Sequence, residues 1–262
     1  MKHPRNRFQI LPWIIPGILL AAWFAVVRTG WVPDYLLPDP VRIARSGYVY
    51  LFSQADTPYA GRFLTDASAS LLRVTLGFSL AVVLGVPLGV ISGRVPVCQK
   101  MISNTINGIR AVPGICWLPL ALVWFGIGMR TTVFLVAMAA FFPIYINTAA
   151  GARYINPIFY QAGAMMGIGR IRGIFSILLP AAMPQIISGL RLGLGISWAY
   201  LVLGELTGVP DGLGAIIMDA RMIGRIDIII VGIIIIAVMG RISDILLNAS
   251  LRLFFKSARR IT

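Results

Sequence analysis

Long apolar runs separated by short basic interruptions dominate this chain, and a sequence of that kind has few ways to fold. The runs cover about Leu11 to Val27, Leu71 to Ile91, Ile102 to Phe125, Val133 to Thr148, Pro184 to Leu206 and Ile226 to Leu247. Each is close to the roughly 20 residues that a transmembrane helix needs. In lipid every backbone polar group must be satisfied internally, which leaves helices or closed barrels. Continuous runs of this length are helices. Of 262 residues 58% are apolar and only 12% charged, half the roughly 25% charged residues of a soluble domain. The expected fold class is therefore all-α, a polytopic membrane helical bundle of about six transmembrane helices.

The charge pattern orients that bundle. Net charge is +14, from 23 Lys and Arg against nine Asp and Glu. In a soluble protein such an excess points to nucleic acid. Here the basic residues flank apolar spans without an aromatic-interleaved stripe, so the positive-inside rule and contact with anionic membrane lipid account for them, and no nucleic acid is expected. Six spans place both termini and the loops 94–100 and 151–183 on the cytoplasmic side. Those segments carry Lys2, Arg5, Arg7, Arg94, Lys100, Arg153, Arg170, Arg172, Lys256, Arg259 and Arg260, and no acid. Asp34, Asp39, Asp56, Asp66 and Asp211 fall on the other side. Five or seven spans would put the basic tail or the basic loop outside. The first run is long and lacks a small-residue cleavage site, so it reads as an uncleaved span. After it, Pro33, Pro38 and Pro40 break the chain. From Val41 to Phe52 the apolar spacing fits an amphipathic helix on the outer surface, a plain linker being the alternative.

The loop from Gly151 to Met183 differs from the other interruptions. Its middle, Gln161 to Arg172, is too polar to span and too apolar for a free linker. Ala162, Met165, Met166 and Gly169 offer a small, soft helical surface, and methionine adapts to varied grooves. Gly167 and Gly169 allow a sharp turn, while Pro180 and Pro184 are expected to stop one helix and start the next. A short helix so framed docks in a partner's cleft, or else lies at the membrane interface without a partner.

Charges inside spans need a reason, because an arginine at mid-membrane costs about 2.5–3.5 kcal/mol on insertion scales. Arg110 and Arg191 either lend positive potential to an anion pathway or lock the bundle through an acid such as Asp244. Glu205 lies 14 residues beyond Arg191 in the same span, roughly 21 Å on an ideal helix, so the two do not pair. Arg241 and Asp244 are i,i+3 neighbours able to form a local pair. Pro113 and Pro119 bend the third span around Trp117, as a gate or as a simple kink. Asn147 and Ser197 serve as packing bonds or pathway lining, and Trp198 as a pathway residue or, with Trp13, Trp23, Trp31 and Trp124, as part of an interfacial belt. The pathway candidates are thus Arg110, Pro113, Trp117, Asn147, Arg191, Trp198 and Glu205.

No catalytic constellation accompanies these residues. Cys98, Cys116 and the lone His3 have no metal-ligand spacing, and no Ser/His/Asp set, HExxH or Walker lysine occurs. Neither an enzyme nor a metal site is expected.

The loop carries a resemblance. Gln161-Ala162-Gly163, Gly167, Ile177 and Leu179-Pro180 keep the spacing of the EAA loop of membrane subunits of ATP-binding-cassette importers. In order along the chain there are also Arg110-Ala111-Val112-Pro113, Trp124-Phe125-Gly126-Ile127, Phe142-Pro143-Ile144 with Asn147-Thr148, Gly189-Leu190-Arg191, Glu205 and Gly212-Leu213-Gly214. Together they resemble the permease subunits of the nitrate/sulfonate/taurine/bicarbonate branch. The motif usually opens Glu-Ala-Ala; the missing carboxylate removes one surface ion pair, worth only about 0–1 kcal/mol.

The resemblance implies a type I importer (MetI-like) permease domain over residues 65–262, with residues 1–64 as an N-terminal helix plus a periplasmic amphipathic segment. Gln161, Ala162, Gly163, Met166, Gly167, Gly169 and Pro180 would couple to an ATPase. It implies a bacterial inner-membrane location, a second copy of the chain, two cytoplasmic ATPase subunits that bind ATP and Mg, and a periplasmic or lipid-anchored substrate-binding protein. No cofactor is expected in this chain, and the cargo would be a small anion. A self-sufficient secondary transporter or channel would use carboxylates such as Glu205, Asp227 or Asp244. A scaffold would use the loop alone.

Overall fold

A computed structural model describes residues 11–53 and 58–254. Lys2, His3, Arg5, Arg7, Asp56, Lys256, Arg259 and Arg260, and the side chains of Trp13 and Arg170, lie outside what it describes. Among the described residues the regular elements are all helices. Helix α1 is Leu11–Arg28 and α2 is Pro40–Phe52. The Asp39 carboxylate accepts the Val41 N–H at 2.8 Å, with Pro40 in the first turn, so α2 starts as a capped helix should. Helices α3 (Phe63–Arg94), α4 (Pro96–Ala111), α5 (Trp117–Phe125) and α6 (Met129–Arg153) follow, then α7 (Pro157–Met165), α8 (Arg170–Gly173) and α9 (Leu179–Glu205), and last α10 (Leu213–Met222) and α11 (Ile226–Phe254).

Among the described residues four helical segments are long and apolar enough to cross a membrane: α3, α6, Ile174–Glu205 and α11. The expected third span is corrected. It is two helices, α4 and α5, joined through a 3-10 turn at Gly114–Cys116 and bent by 82°. Val112 is extended (φ −74°, ψ 121°), because a residue before proline is pushed out of the helical region, and Pro113 makes the corner. Pro119 does not bend anything; it sits in the first turn of α5, where its missing N–H costs nothing. The fifth span is corrected too. A π-helical turn at Ile174–Leu178 runs directly into α9, so Pro180 lies in a first turn and Pro184 inside the helix. The prolines do not separate two helices there.

The chain divides into two compact units. One takes the described residues up to Phe63 together with Ile216–Ile233. Its buried set includes Ile43, Tyr50, Tyr59, Ile216, Ala220, Ile228 and Val231. The other takes Leu64–Ala215 and the described residues from Ile234 onward. There α6 is held between α3 and α9 by close backbone approach. A Cβ on Gly93 of α3 would lie 2.5 Å from the Ala149 carbonyl oxygen, and one on Gly189 of α9 would lie 3.0 Å from that of Pro143. Gly89 and Gly193, each four residues away on the same faces, make similar contacts with Thr148 and Ile144. Lipid tails are as apolar as leucine, so helices in a membrane associate through such small-residue packing rather than through exclusion of water. Ala140, Ile144, Ala182, Met183, Ile186 and Leu190 fill the resulting core.

Candidate functional site

Two features of the larger unit stand out: a hairpin around α7 and a cavity at the α4–α5 corner. The hairpin is rigidly specified. The Asn156 carbonyl oxygen of its side chain accepts the Ile158 N–H at 3.0 Å and Pro157 occupies the first turn. At the other end Gly167 is left-handed (φ 72°). Its N–H reaches the Ala164 carbonyl at 3.0 Å, and the Ile168 N–H reaches that of Gly163 at 2.9 Å. This is a Schellman stop, which requires the glycine. Gly163 is buried against Ile177, whose Cδ1 would sit 2.4 Å from an added Cβ. The Arg94 guanidinium lies 4.1 Å from the centre of the Tyr160 ring, a cation–π contact that ties α7 to the end of α3. Burial pushes the Tyr160 hydroxyl pKa above its usual value.

On the outside of this hairpin Met165 and Met166 are 89% and 71% exposed. Ala162, Met166 and Pro180, three of the expected coupling residues, line one apolar groove of about 400 Å³ with Phe159 and Ile177. Gln161 and Gly169 are exposed beside it. The helix expected within Gln161–Arg172 instead starts at Pro157 and stops at Met165, so the glycines form the turn rather than a helical face.

The corner cavity, about 290 Å³, is lined by Arg110, Gly114, Trp117, Phe142, Pro143 and Tyr200. The bend at Pro113 is what brings Arg110 at the end of α4 and Trp117 at the start of α5 to the same space. At Gly114 a Cβ would fall 1.7 Å from the Tyr200 hydroxyl, so the aromatic ring rests on bare backbone. The other expected pathway residues lie elsewhere. The Asn147 side-chain amide donates to the Pro143 carbonyl at 2.8 Å and its Cβ faces Gly189. Trp198 is buried beside Gly240, its indole N–H without a partner among the described residues. Arg191 makes a bidentate pair with Asp244 at 3.0 and 3.1 Å, and Arg241 also reaches Asp244 at 3.3 Å.

Glu205 is completely buried in an ion network. It accepts from Arg73 Nη1 at 2.7 Å, from Ser70 Oγ at 2.8 Å and from the Gly214 N–H at 2.8 Å. Arg73 also donates to the Asp211 carbonyl at 2.8 Å and pairs with its carboxylate. The Leu213 N–H donates to Ser70 and the Gly212 N–H to Asp66. Three free N–H groups at the start of α10 are thereby satisfied by an anion, a hydroxyl and a second carboxylate, as a helix N-terminus demands. Arg73, Asp66 and Ser70 escaped the reading of intramembrane charges. Their i, i+4, i+7 spacing on α3 marks one polar face and was the available signal.

Among the described residues no group of three or more His, Cys, Asp or Glu side chains is placed to hold a metal ion. What the geometry of the larger unit offers is a helical bundle with an exposed apolar hairpin and a cavity that Arg110 lines.

That architecture is the type I importer permease fold, MetI-like. A chain of the inward-facing MetNI methionine ABC transporter superposes with a TM-score of 0.60, covering 74% of this chain and 99% of that one at 19% identity. The profile of the family described as binding-protein-dependent transport system inner membrane component matches residues 85–256, and the chain belongs to that family. It is 33% identical to the aliphatic sulfonates transport permease protein SsuC of Bacillus subtilis (strain 168), over 88% of this chain and 81% of the relative. It is 29% identical to the taurine transport system permease protein TauC of Escherichia coli (strain K12), over 89% and 84%. This is a multi-pass inner-membrane component of a binding-protein-dependent transport system.

Proposed function

We propose that this chain forms the translocation pathway of an ATP-driven importer for a small oxyanion, a sulfonate or taurine foremost and nitrate or bicarbonate as the related cargoes. It acts as a homodimer with two cytoplasmic ATPase subunits that bind ATP and Mg, and with a periplasmic or lipid-anchored binding protein that delivers the cargo. The observation that carries the reading is the α7 hairpin: a short, rigid, apolar protrusion with a groove beside it and basic residues around it. A protrusion that exposes two methionines at a Schellman stop gains nothing unless a partner covers it. The ATPase grips the groove at Ala162, Met166 and Pro180, and nucleotide-driven closure moves the hairpin as a rigid lever. Because the π-helical turn is continuous with α9, that movement passes directly into a membrane helix. Rocking of the bundle then alternates access to the pathway. At the corner cavity Arg110 supplies one positive charge against aromatic walls, which suits a single small anion with an apolar substituent. Selectivity among such anions rests mainly with the binding protein.

The test is reconstitution into vesicles with the ATPase and the binding protein. Met166→Asp buries a carboxylate in the gripped groove, so ATP-dependent uptake and transport-coupled ATP hydrolysis should fall by about tenfold or more, with membrane insertion unchanged. Uptake at the wild-type rate would overturn the reading.

A further inference from the structure

The smaller unit holds a cavity of its own. It has a volume of about 360 Å³, and Arg42, Arg45, Ser46, Tyr59 and Arg225 line it. Asp227, 1% exposed, organises the wall. Its carboxylate takes Nε and Nη2 of Arg225 at 3.0 and 2.8 Å and the Ser46 hydroxyl at 2.5 Å. Those bonds meet most of its acceptor capacity. Arg42 stands farther off, with Nε 3.9 Å from the carboxylate. Arg45 lines the cavity and, among the described residues, has no acidic partner. Among the described residues one buried carboxylate therefore stands against three guanidinium groups. Nearby, Arg62 pairs with Asp219 at 3.5 Å, outside the residues that line the cavity.

Tyr59 provides the second, independent observation. It is 3% exposed, and its hydroxyl is buried without a hydrogen-bond partner among the described residues. The Arg225 guanidinium is 5.9 Å from its ring centre. Burial raises its pKa, so the hydroxyl keeps its proton and remains a donor. Buried polar groups in native structures nearly always have a partner. An unused donor beside uncompensated guanidinium groups calls for an acceptor that is itself negative. Guanidinium donors match tetrahedral and trigonal oxyanions in bidentate fashion, and such bonds are about twice as strong as neutral ones.

We propose that this cavity is an oxyanion site of the phosphate or sulfate type, held by Arg42, Arg45 and Arg225 with the Tyr59 hydroxyl, and with Asp227 as the positioning residue. A lipid headgroup phosphate and a free oxyanion present the same chemistry to it. The assignment stands apart from the pathway residues and from the α7 hairpin.

The experiment uses the full chain in phosphatidylcholine nanodiscs, with radiolabelled sulfate and inorganic phosphate as probes. Arg45→Gln should weaken retention by about tenfold, the scale of a lost charge-assisted contact. Tyr59→Phe should weaken it by roughly threefold, as expected for one neutral hydrogen bond. Arg62→Gln removes the same charge outside the cavity and should change nothing. A second arm adds phosphatidylglycerol. If the occupant is a free oxyanion, sulfate binding is indifferent to the lipid. If it is a headgroup, phosphatidylglycerol displaces sulfate, and the lipid retained in native mass spectrometry drops in Arg45→Gln. Equal retention of sulfate, phosphate and phosphatidylglycerol by wild type and Arg45→Gln would overturn the assignment. So would an equal loss in Arg62→Gln, which would leave only net charge as the cause.

Discussion

Arg73 and Glu205 show how one buried pair differs from a partly exposed one in the same bundle. Glu205 is fully buried and Arg73 is 6% exposed, and each is bound by several groups besides the other. Removing one partner of such a pair leaves an uncompensated charge and costs about 3–5 kcal/mol. Glu205→Ala should therefore lower the midpoint of thermal unfolding in detergent by several degrees and reduce the yield of folded chain. Glu205→Gln keeps an acceptor and the shape, so it should lose less. Arg191, with a side chain 43% exposed against Asp244, is the contrast; Arg191→Ala should change stability by about 0–1 kcal/mol. Equal midpoints for Glu205→Ala and Arg191→Ala would mean that the network around α10 contributes no more than a surface pair. Glu205 was an expected pathway residue. Its partner Arg73 is 132 positions away in sequence, and hydropathy carries no information at that separation.

At the scale of elements, the backbone contacts of α6 set what α3 and α9 tolerate. Gly93 faces the Ala149 carbonyl, and a backbone oxygen cannot rotate aside as a side chain can. Gly93→Val should destabilise the bundle by about 1–3 kcal/mol through overpacking, measured as the shift in detergent unfolding. Gly108 in α4 is exposed and an added Cβ meets nothing within 4 Å. Gly108→Ala should be neutral or stabilising by up to about 1 kcal/mol, the propensity difference in a helix interior. If both changes behaved alike, close packing would not be what joins α3 to α6. The same reasoning explains why the α4–α5 corner eluded a count of apolar residues. Both arms are apolar enough to read as one span, and only the coupled geometry of Val112 and Pro113 turns the chain.

At the scale of the molecule, the transport reading requires the α7 hairpin to lie in the cytoplasm. With Cys98 and Cys116 changed to Ser, Gly169→Cys supplies a single thiol at an exposed position. A membrane-impermeant maleimide should leave it unlabelled in intact cells and label it in inverted vesicles. Labelling from outside would reverse the topology and remove any ATPase contact.

Read without coordinates, the chain already settled its class, its polytopic helical character, and the place of its hairpin between two membrane helices. Those properties follow from local composition: a run of about 20 apolar residues has to be a helix in lipid, and Gly167 inside a polar interruption marks a turn, whereas the helix break expected at Pro180 and Pro184 is absent because the π-helical turn runs straight into α9. Pro113 announced a bend in the third apolar run, but tertiary structure alone decided that it reaches 82°, that Arg110 and Trp117 share a cavity, that Arg191 is occupied by Asp244, and that Glu205 caps α10 while it pairs with Arg73. Each of those depends on which distant backbones approach one another. In a membrane that is governed by small-residue contact and the pairing of buried charge; the spacing of Gly89 and Gly93, or of Asp66, Ser70 and Arg73, marks a face of one helix and does not name the partner that the face meets.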